Sequence, residues 1–247
     1  QGVASGDPRE SSLVFWSRCV RADGSVGDVP VRLQVSKSTR FDTLLADVAL
    51  TASATYDFTV RAKVTGLPSA TPLYYRFVAG NDFSAVGTGK TAPAAGATVP
   101  QLRFAWFTCQ DWSVNHWAAM NLLAAESDLD FIVHLGDYIY ETVGAAFQSG
   151  AAEPAHPRIS LPNGTKLADG TVYATTLADY RTLYRTYRGD ARLQALHAKF
   201  ALIATWDDHE FSDDCWQDHQ TYTNENKQET ARRRPASQAW LEYMPVD

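Results

Sequence analysis

Three apolar runs in this chain each end in residues that carry chemistry. Leu102 to Phe107 runs into Thr108-Cys109-Gln110-Asp111. Leu129 to Val133 runs into His134-Leu135-Gly136-Asp137-Tyr138-Ile139-Tyr140-Glu141. Phe200 to Trp206 runs into Asp207-Asp208-His209-Glu210. All three read as buried strands. Helical periodicity separates them. Trp117, Met120, Leu122, Leu123 and Ala124 precede the second, and Leu183, Tyr187, Leu193, Leu196 and Ala198 precede the third within a helical stretch from Leu177 to Phe200. Strands alternating with helices favour a largely parallel sheet. Ligands bind beyond the carboxyl ends of the strands in such a sheet. Cys109, Asp137, Tyr140, Asp208 and His209 are therefore expected at one sheet edge.

Gly136 lets the backbone turn tightly or approach a ligand closely. Asp137 then offers hard oxygen to a cation or acts as a base. Carboxylates crowded at one edge repel one another unless cations or shared protons offset the charge. A sulfur, a phenol, carboxylates and an imidazole suit a mixed hard and borderline metal pair better than one structural zinc.

Each residue also has a plainer reading. Asp137 alone would serve as a helix cap. Tyr140 and Cys109, on residue type, belong to a core, although a phenolate is also a ferric ligand and a strand-end thiolate a metal ligand. Asp207 and Asp208 point to opposite sides of an extended segment. Asp208, nearer the carboxyl end, is preferred as the ligand, and Asp207 is expected to orient a neighbour. His209 protonates a leaving group, binds a phosphoryl oxygen or fills a polar pocket. Asp213 and Asp214 are ligands or acids at a helix start. His134 reads as a core histidine, His116 and His197 as structural or surface residues, and His156 has no assignment. Arg181, Arg185 and Arg188 form a solvated helix face or supply a contact to an anionic substrate.

The first 92 residues look all-β. Leu13–Trp16, Val29–Val35, Tyr56–Val64 and Pro72–Val78 are short β-rich runs separated by Gly, Pro, Asp and Ser. Their spacing suits an immunoglobulin- or fibronectin-like sandwich over residues 1–92. A small-residue linker over 93–101 then leads into an α/β part over 102–247. Residues 142–175 read as a long loop over the site, and Glu229 to Tyr243 as a last helix. The formal charge is −6 and no basic run exceeds Arg232-Arg233-Arg234, which excludes a broad nucleic-acid footprint. No apolar stretch approaches a membrane span. With three cysteines, Cys19, Cys109 and Cys215, at least one is unpaired or bonded to another chain. Cys19 and Cys215 either form a disulfide or act as small buried hydrophobes.

These motifs, in this order, resemble the PhoD-type alkaline phosphatase and phosphodiesterase family. Gly2-Val3-Ala4-Ser5-Gly6-Asp7-Pro8 is similar to its opening, and Val14-Phe15-Trp16-Ser17-Arg18 to its first strand. Phe107-Thr108-Cys109-Gln110, His134 to Glu141 and Trp206-Asp207-Asp208-His209-Glu210 resemble its cysteine motif and its two metal motifs. Tyr180-Arg181, Tyr184-Arg185, Leu193 to Ala198 and Arg232 to Pro245 resemble its helices. The resemblance implies a β-sandwich followed by part of an α/β metallophosphoesterase-like domain, a four-layer αββα sandwich. It implies ferric iron, Fe(3+), with calcium, Ca(2+). Cys109, Asp137 and Tyr140 would hold the iron, Asp137 would bridge to calcium, and Asp208 would bind on the calcium side. His209 stands at the catalytic histidine of the wider class, beside Asp208 in place of an asparagine. Family members continue to further ligands, so a second polypeptide carrying the rest of the catalytic domain is expected. The implied function is metal-dependent hydrolysis of phosphate esters by a secreted or periplasmic enzyme. The alternatives are a phospholipase D-like phosphodiesterase acting on phospholipid head groups and a non-catalytic secreted binding module.

Overall fold

The computed structural model describes residues 1–149, 158–222 and 226–247. Eight strands precede residue 91: β1 (Val3–Gly6), β2 (Ser12–Arg18), β3 (Val29–Ser36), β4 (Leu44–Ala52), β5 (Thr59–Thr65), β6 (Pro72–Ala79), β7 (Asp82–Phe83) and β8 (Gly87–Lys90). In β3, Val31, Leu33 and Val35 are buried while Arg32 and Gln34 point outward, the period-two alternation of a half-buried strand. Strands β4-β3-β6-β7, with β8 on β6, make one sheet. Strands β5-β2-β1 make the facing one. Their inner faces share a core that includes Leu13, Phe15, Leu33, Val60, Leu73, Tyr75 and Phe77. The expected sandwich is thus present as two packed sheets.

The chain continues through β9 (Phe104–Phe107), α1 (Ala118–Ala125), β10 (Phe131–His134), β11 (Thr142–Val143), β12 (Thr165–Lys166) and β13 (Val172–Tyr173). It then forms α2 (Leu177–Tyr187), α3 (Ala191–Lys199), β14 (Leu202–Ala204), β15 (His219–Gln220), β16 (Lys227–Gln228) and α4 (Thr230–Tyr243). Strands β9, β10 and β14 are mutually parallel. They extend the sandwich sheet, giving the order β5-β2-β1-β14-β10-β9. The join is a parallel pairing of Gly6 with Leu202, with the Asp7 amide donating to the Leu202 carbonyl at 2.9 Å. Gly6 is needed there, because a Cβ would lie 2.3 Å from the Pro245 carbonyl oxygen.

Strands β1 and β2 are buried on both faces and therefore serve two cores. Val3, Leu13 and Phe15 enter the sandwich core, while Ala4 and Trp16 enter the core of the α/β part. In that second core Met120, Leu193 and Leu196 of α1 and α3 pack with Ile132 and Leu202. The other sheet face leaves Phe104, Trp106, Leu135, Ile203 and Trp206 exposed.

Several expectations are revised. The helical stretch from Leu177 to Phe200 is two helices, broken at Gly189 where Asp190 caps α3 by accepting from the Arg192 amide at 2.9 Å. The stretch 142–175 is not a bare loop among its described residues. It builds the antiparallel sheet β11-β13-β12, and His156 lies outside the described residues. Cys19 and Cys215 are both free thiols, each packed against one of the two cores, so the disulfide is not formed.

Arg181 and Arg185 of α2, and Arg188 at its C-terminal end, are engaged within the protein rather than forming a solvated face. Arg181 grips Glu242 of α4 at 2.6 and 2.7 Å. Arg185 meets both oxygens of Asp57 at 3.1 Å. Arg188 is buried, with its guanidinium 3.7 Å from the centroid of the Trp16 ring. Asp57 also accepts from Arg18 at 3.0 Å and from the Tyr243 hydroxyl. Burial works to raise the Asp57 pKa, but these bonds outweigh it and hold the carboxyl below its ordinary range.

Candidate metal centre

The loops after β9, β10 and β14 meet at one edge of the sheet and interlock through backbone contacts. The Thr108 hydroxyl donates to the Gly136 carbonyl at 2.9 Å, and the Gln110 amide to the Asp137 carbonyl at 3.1 Å. Gly136 has φ 108°, and a Cβ on it would lie 2.5 Å from the Asp207 amide nitrogen. Both the conformation and the crowding require glycine. Cys109 and Asp137 themselves sit at φ 54° and 56°. Such left-handed backbone persists in non-glycine residues only where the surroundings enforce it.

Glu210 does much of that enforcing. Its buried carboxylate accepts from the Tyr138 amide at 2.6 Å, the Asp207 amide at 2.7 Å and the Asp137 amide at 3.1 Å. It ties the β10 loop to the β14 loop. Burial, opposed by the three amides, pushes its pKa up to about 7. Tyr187 of α2 supports the same loop from below: its hydroxyl accepts from the Tyr140 amide at 3.1 Å and donates to Asp111 at 3.2 Å.

The expected ligands come together on this frame. One oxygen of Asp137, Oδ2, receives the Cys109 thiol at 3.2 Å and the Tyr140 hydroxyl at 3.4 Å. The other oxygen receives the His209 amide at 3.4 Å. Asp137, Asp208 and His209 offer ligand atoms all within 4.8 Å of one another. Asp208, Asp213 and Asp214 form a second such group, so Asp208 belongs to both. Asp213 and Asp214 lie in the turn after β14 and start no helix. Asp207 is in neither group.

The donor chemistry suits a cation. Burial, then the Asp207 and Asp208 charges, raises the Asp137 pKa against the Cys109 hydrogen bond and the His209 charge. Desolvation, then the Asp137 carboxylate, raises the Cys109 thiol against a hydrogen bond from Thr108. Burial, then the Asp137 charge, raises the Tyr140 phenol. A carboxyl, a thiol and a phenol whose charged forms are all disfavoured here are the arrangement a bound cation would offset.

His209 has a partner that sequence reasoning missed. Its Nδ1 lies 2.8 Å from Oε2 of Glu141, which is fully buried. The other Glu141 oxygen accepts from the Asp213 amide at 2.7 Å and from the Tyr222 hydroxyl. Burial works to lower the His209 pKa, but Glu141, Asp137 and Asp208 raise it to about 9. The imidazole stacks on Tyr140 at 3.9 Å and presents Nε2 toward Asp213 at 3.4 Å. Glu141 and Glu210 directly follow the candidate site residues Tyr140 and His209, and that position was the one available signal. His134 is fully buried, its Nδ1 accepting from the Gly136 amide at 3.2 Å, as a core histidine should. His197 is buried against the Tyr138 hydroxyl at 2.8 Å, and His116 is exposed ahead of α1.

Comparison with known proteins gives a consistent placement along the whole chain. The pattern of the PhoD-like phosphatase family matches residues 104–247, and that of the PhoD-like phosphatase N-terminal domain matches residues 1–93. Alkaline phosphatase D of Bacillus subtilis (strain 168) is 34% identical over 257 residues, covering 99% of this chain and 41% of the relative. The solved structure of PhoD matches with a TM-score of 0.80 at 34% identity, covering 100% of this chain and 46% of that one. This chain thus spans less than half the length of either. Matched across both its sandwich and its α/β part, the chain belongs to the PhoD-like phosphatase family.

Proposed function

We propose that this chain contributes the metal-binding edge of a phosphoric ester hydrolase acting on phosphate mono- or diesters. The observation that carries this reading is the convergence of Cys109 and Tyr140 on one oxygen of Asp137, with Asp208 and His209 on its other side. Cys109, Asp137 and Tyr140 suit ferric iron, which thiolate and phenolate ligate, and Asp137 with Asp208 suits calcium, which takes oxygen donors. When bound, the cations supply Lewis-acid charge to a phosphoryl oxygen and to an attacking water. Asp137, in contact with both donor groups, would belong to both sets of ligands. Glu141 fixes the His209 ring through Nδ1, leaving Nε2 in the acidic pocket to hold a proton for the leaving oxygen. Glu210 keeps the Asp137 and Asp207 amides in place while charge shifts around them. The exposed face of the β9, β10 and β14 sheet is assigned to that part of the longer relatives which this chain does not span, completing the layered metallophosphoesterase-like domain.

The test is metal analysis with a visible spectrum, alongside hydrolysis of p-nitrophenyl phosphate, bis(p-nitrophenyl) phosphate and phosphatidylcholine. Iron with calcium, a visible band that Tyr140→Phe removes, and release of nitrophenol are expected. Zinc alone with no ester hydrolysis would overturn the reading. Choline release without nitrophenol release would move it to the phospholipase D-like alternative.

A further inference from the structure

A singly exposed aromatic side chain is ordinary on a protein surface. Phe147 is not ordinary in how it is held. It is 55% exposed, yet the next residue is anchored in the interior. The buried Gln148 side chain donates to Asp111 at 3.0 Å and to the Thr142 carbonyl at 2.8 Å, and accepts from the Ala145 amide at 3.1 Å. Three bonds on one amide fix the short turn Ala146–Ser149 that presents the phenyl ring. Asp111, the far anchor, also accepts from Tyr187, which holds the Tyr140 amide. The turn and the metal loop therefore share one support.

The ring position follows from that support. Phe147 lies 6.2 Å from Tyr140, centroid to centroid, tilted by 58°. Tyr140 in turn stacks on His209 at 3.9 Å. Phe147, Tyr140 and His209 thus form a continuous aromatic row leading from the acidic pocket to solvent. Within the row only Phe147 is without a polar group, and it alone is exposed.

We propose that Phe147 is a specificity residue whose ring forms an apolar wall for the leaving group, giving the site a preference for phosphate esters of aromatic or bulky apolar alcohols. The inference rests on the phosphate-ester reading of the metal centre. A phosphoryl group held at Asp137 and Asp208, with its leaving oxygen toward His209, directs the alcohol along the row. Ring-on-ring contact of this kind is worth about three- to tenfold in affinity.

Calorimetric titration of the metal-loaded protein with benzylphosphonate and with methylphosphonate tests this without turnover. The two ligands share the phosphonate and differ by the phenyl group. Wild type should bind benzylphosphonate roughly tenfold more tightly. Phe147→Ala should abolish the difference while leaving methylphosphonate affinity unchanged, and Phe147→Tyr should restore it. Equal affinity of wild type for the two ligands, or equal weakening of both in Phe147→Ala and Phe147→Tyr, would overturn the proposal and leave the phosphate-ester reading standing. Failure to bind either phosphonate would overturn both.

Discussion

Asp57 offers the sharpest test of how the two parts of this chain are held together. It follows β4 in the sandwich, yet its carboxylate is shared by Arg18 of β2, Arg185 of α2 and Tyr243 of α4. Asp57→Asn keeps the shape and removes the charge. Breaking one side of a buried ion pair costs about 3–5 kcal/mol. The Arg18 side chain is only 12% exposed and recovers little water, whereas Arg185 is 35% exposed and rehydrates. The lower end therefore applies, about 3 kcal/mol. At roughly 2–4 °C per kcal/mol for a chain of this size, the Tm should fall by about 6–12 °C.

Thermal and urea unfolding of wild type, Asp57→Asn, Arg18→Met and the double variant would measure this. The double-mutant cycle should return a coupling above about 1 kcal/mol. The pH dependence has a fixed sign. A carboxyl whose folded pKa is depressed stabilises above the ordinary carboxylate range and loses that contribution as pH falls through its folded pKa. Wild type and Asp57→Asn should therefore converge in strong acid and diverge toward neutrality. A Tm within 2 °C of wild type at pH 7, read against the ~6 °C minimum above, or strict additivity in the cycle, would refute the clasp.

Three further outcomes follow from the site. Gly136→Ala places a methyl against the Asp207 backbone at an unfavourable φ. It should cost about 3 kcal/mol and lower metal uptake with stability; normal metal uptake at normal Tm would contradict this. Glu141→Gln should lower kcat roughly ten- to hundredfold with metal content unchanged. Loss of metal in step with activity would instead make Glu141 a structural support. Burial lowers the His134 pKa to about 3, so the unfolded chain takes up its proton below about pH 6.5 while the folded chain does not. That costs about 2 kcal/mol of stability by pH 5, and a His134 ring resonance titrating above pH 6 would disprove it.

The sequence disclosed strands and ligands by different signals, and it was silent where those signals depend on distant partners. Runs such as Phe131 to Val133 announce a strand by apolar content alone, with Asp137, Tyr140 and Asp208 soon after such runs, but the expected burial fails on one face, where Phe104, Trp106 and Ile203 are exposed. Glu141 and Glu210 were not readable in the same way. Each resembles any surface acid until the fold supplies its donors, which for Glu141 lie about seventy residues away at His209 and Asp213. Arg181, Arg185 and Arg188 misled for the same reason. Their spacing marks a helix face, but only packing decides whether that face meets water or the acids of another element. The break at Gly189 and the small sheet β11-β13-β12 rest on short, weakly patterned segments whose pairing is set by tertiary context.

The shared strands show how the sandwich supports the α/β part that follows it. A strand buried on one face needs alternation, but β1 and β2 are buried at nearly every position because each face meets a different core. Leu13 and Phe15 close the sandwich, and on the opposite face Trp16 packs against Tyr243 of α4 and donates to the Glu242 carbonyl at 2.7 Å. Glu242 grips Arg181 on α2, and the same helix ends in Tyr187, which holds the amide of Tyr140. Each step is a direct contact, so the position of the candidate metal-binding loop is referred back to β2 through two packed helices, α4 and α2. A sandwich joined only by its linker would have no such path. The joined sheet gives it one, and Arg181 and Arg185, paired with Glu242 and Asp57, fix the helix along it.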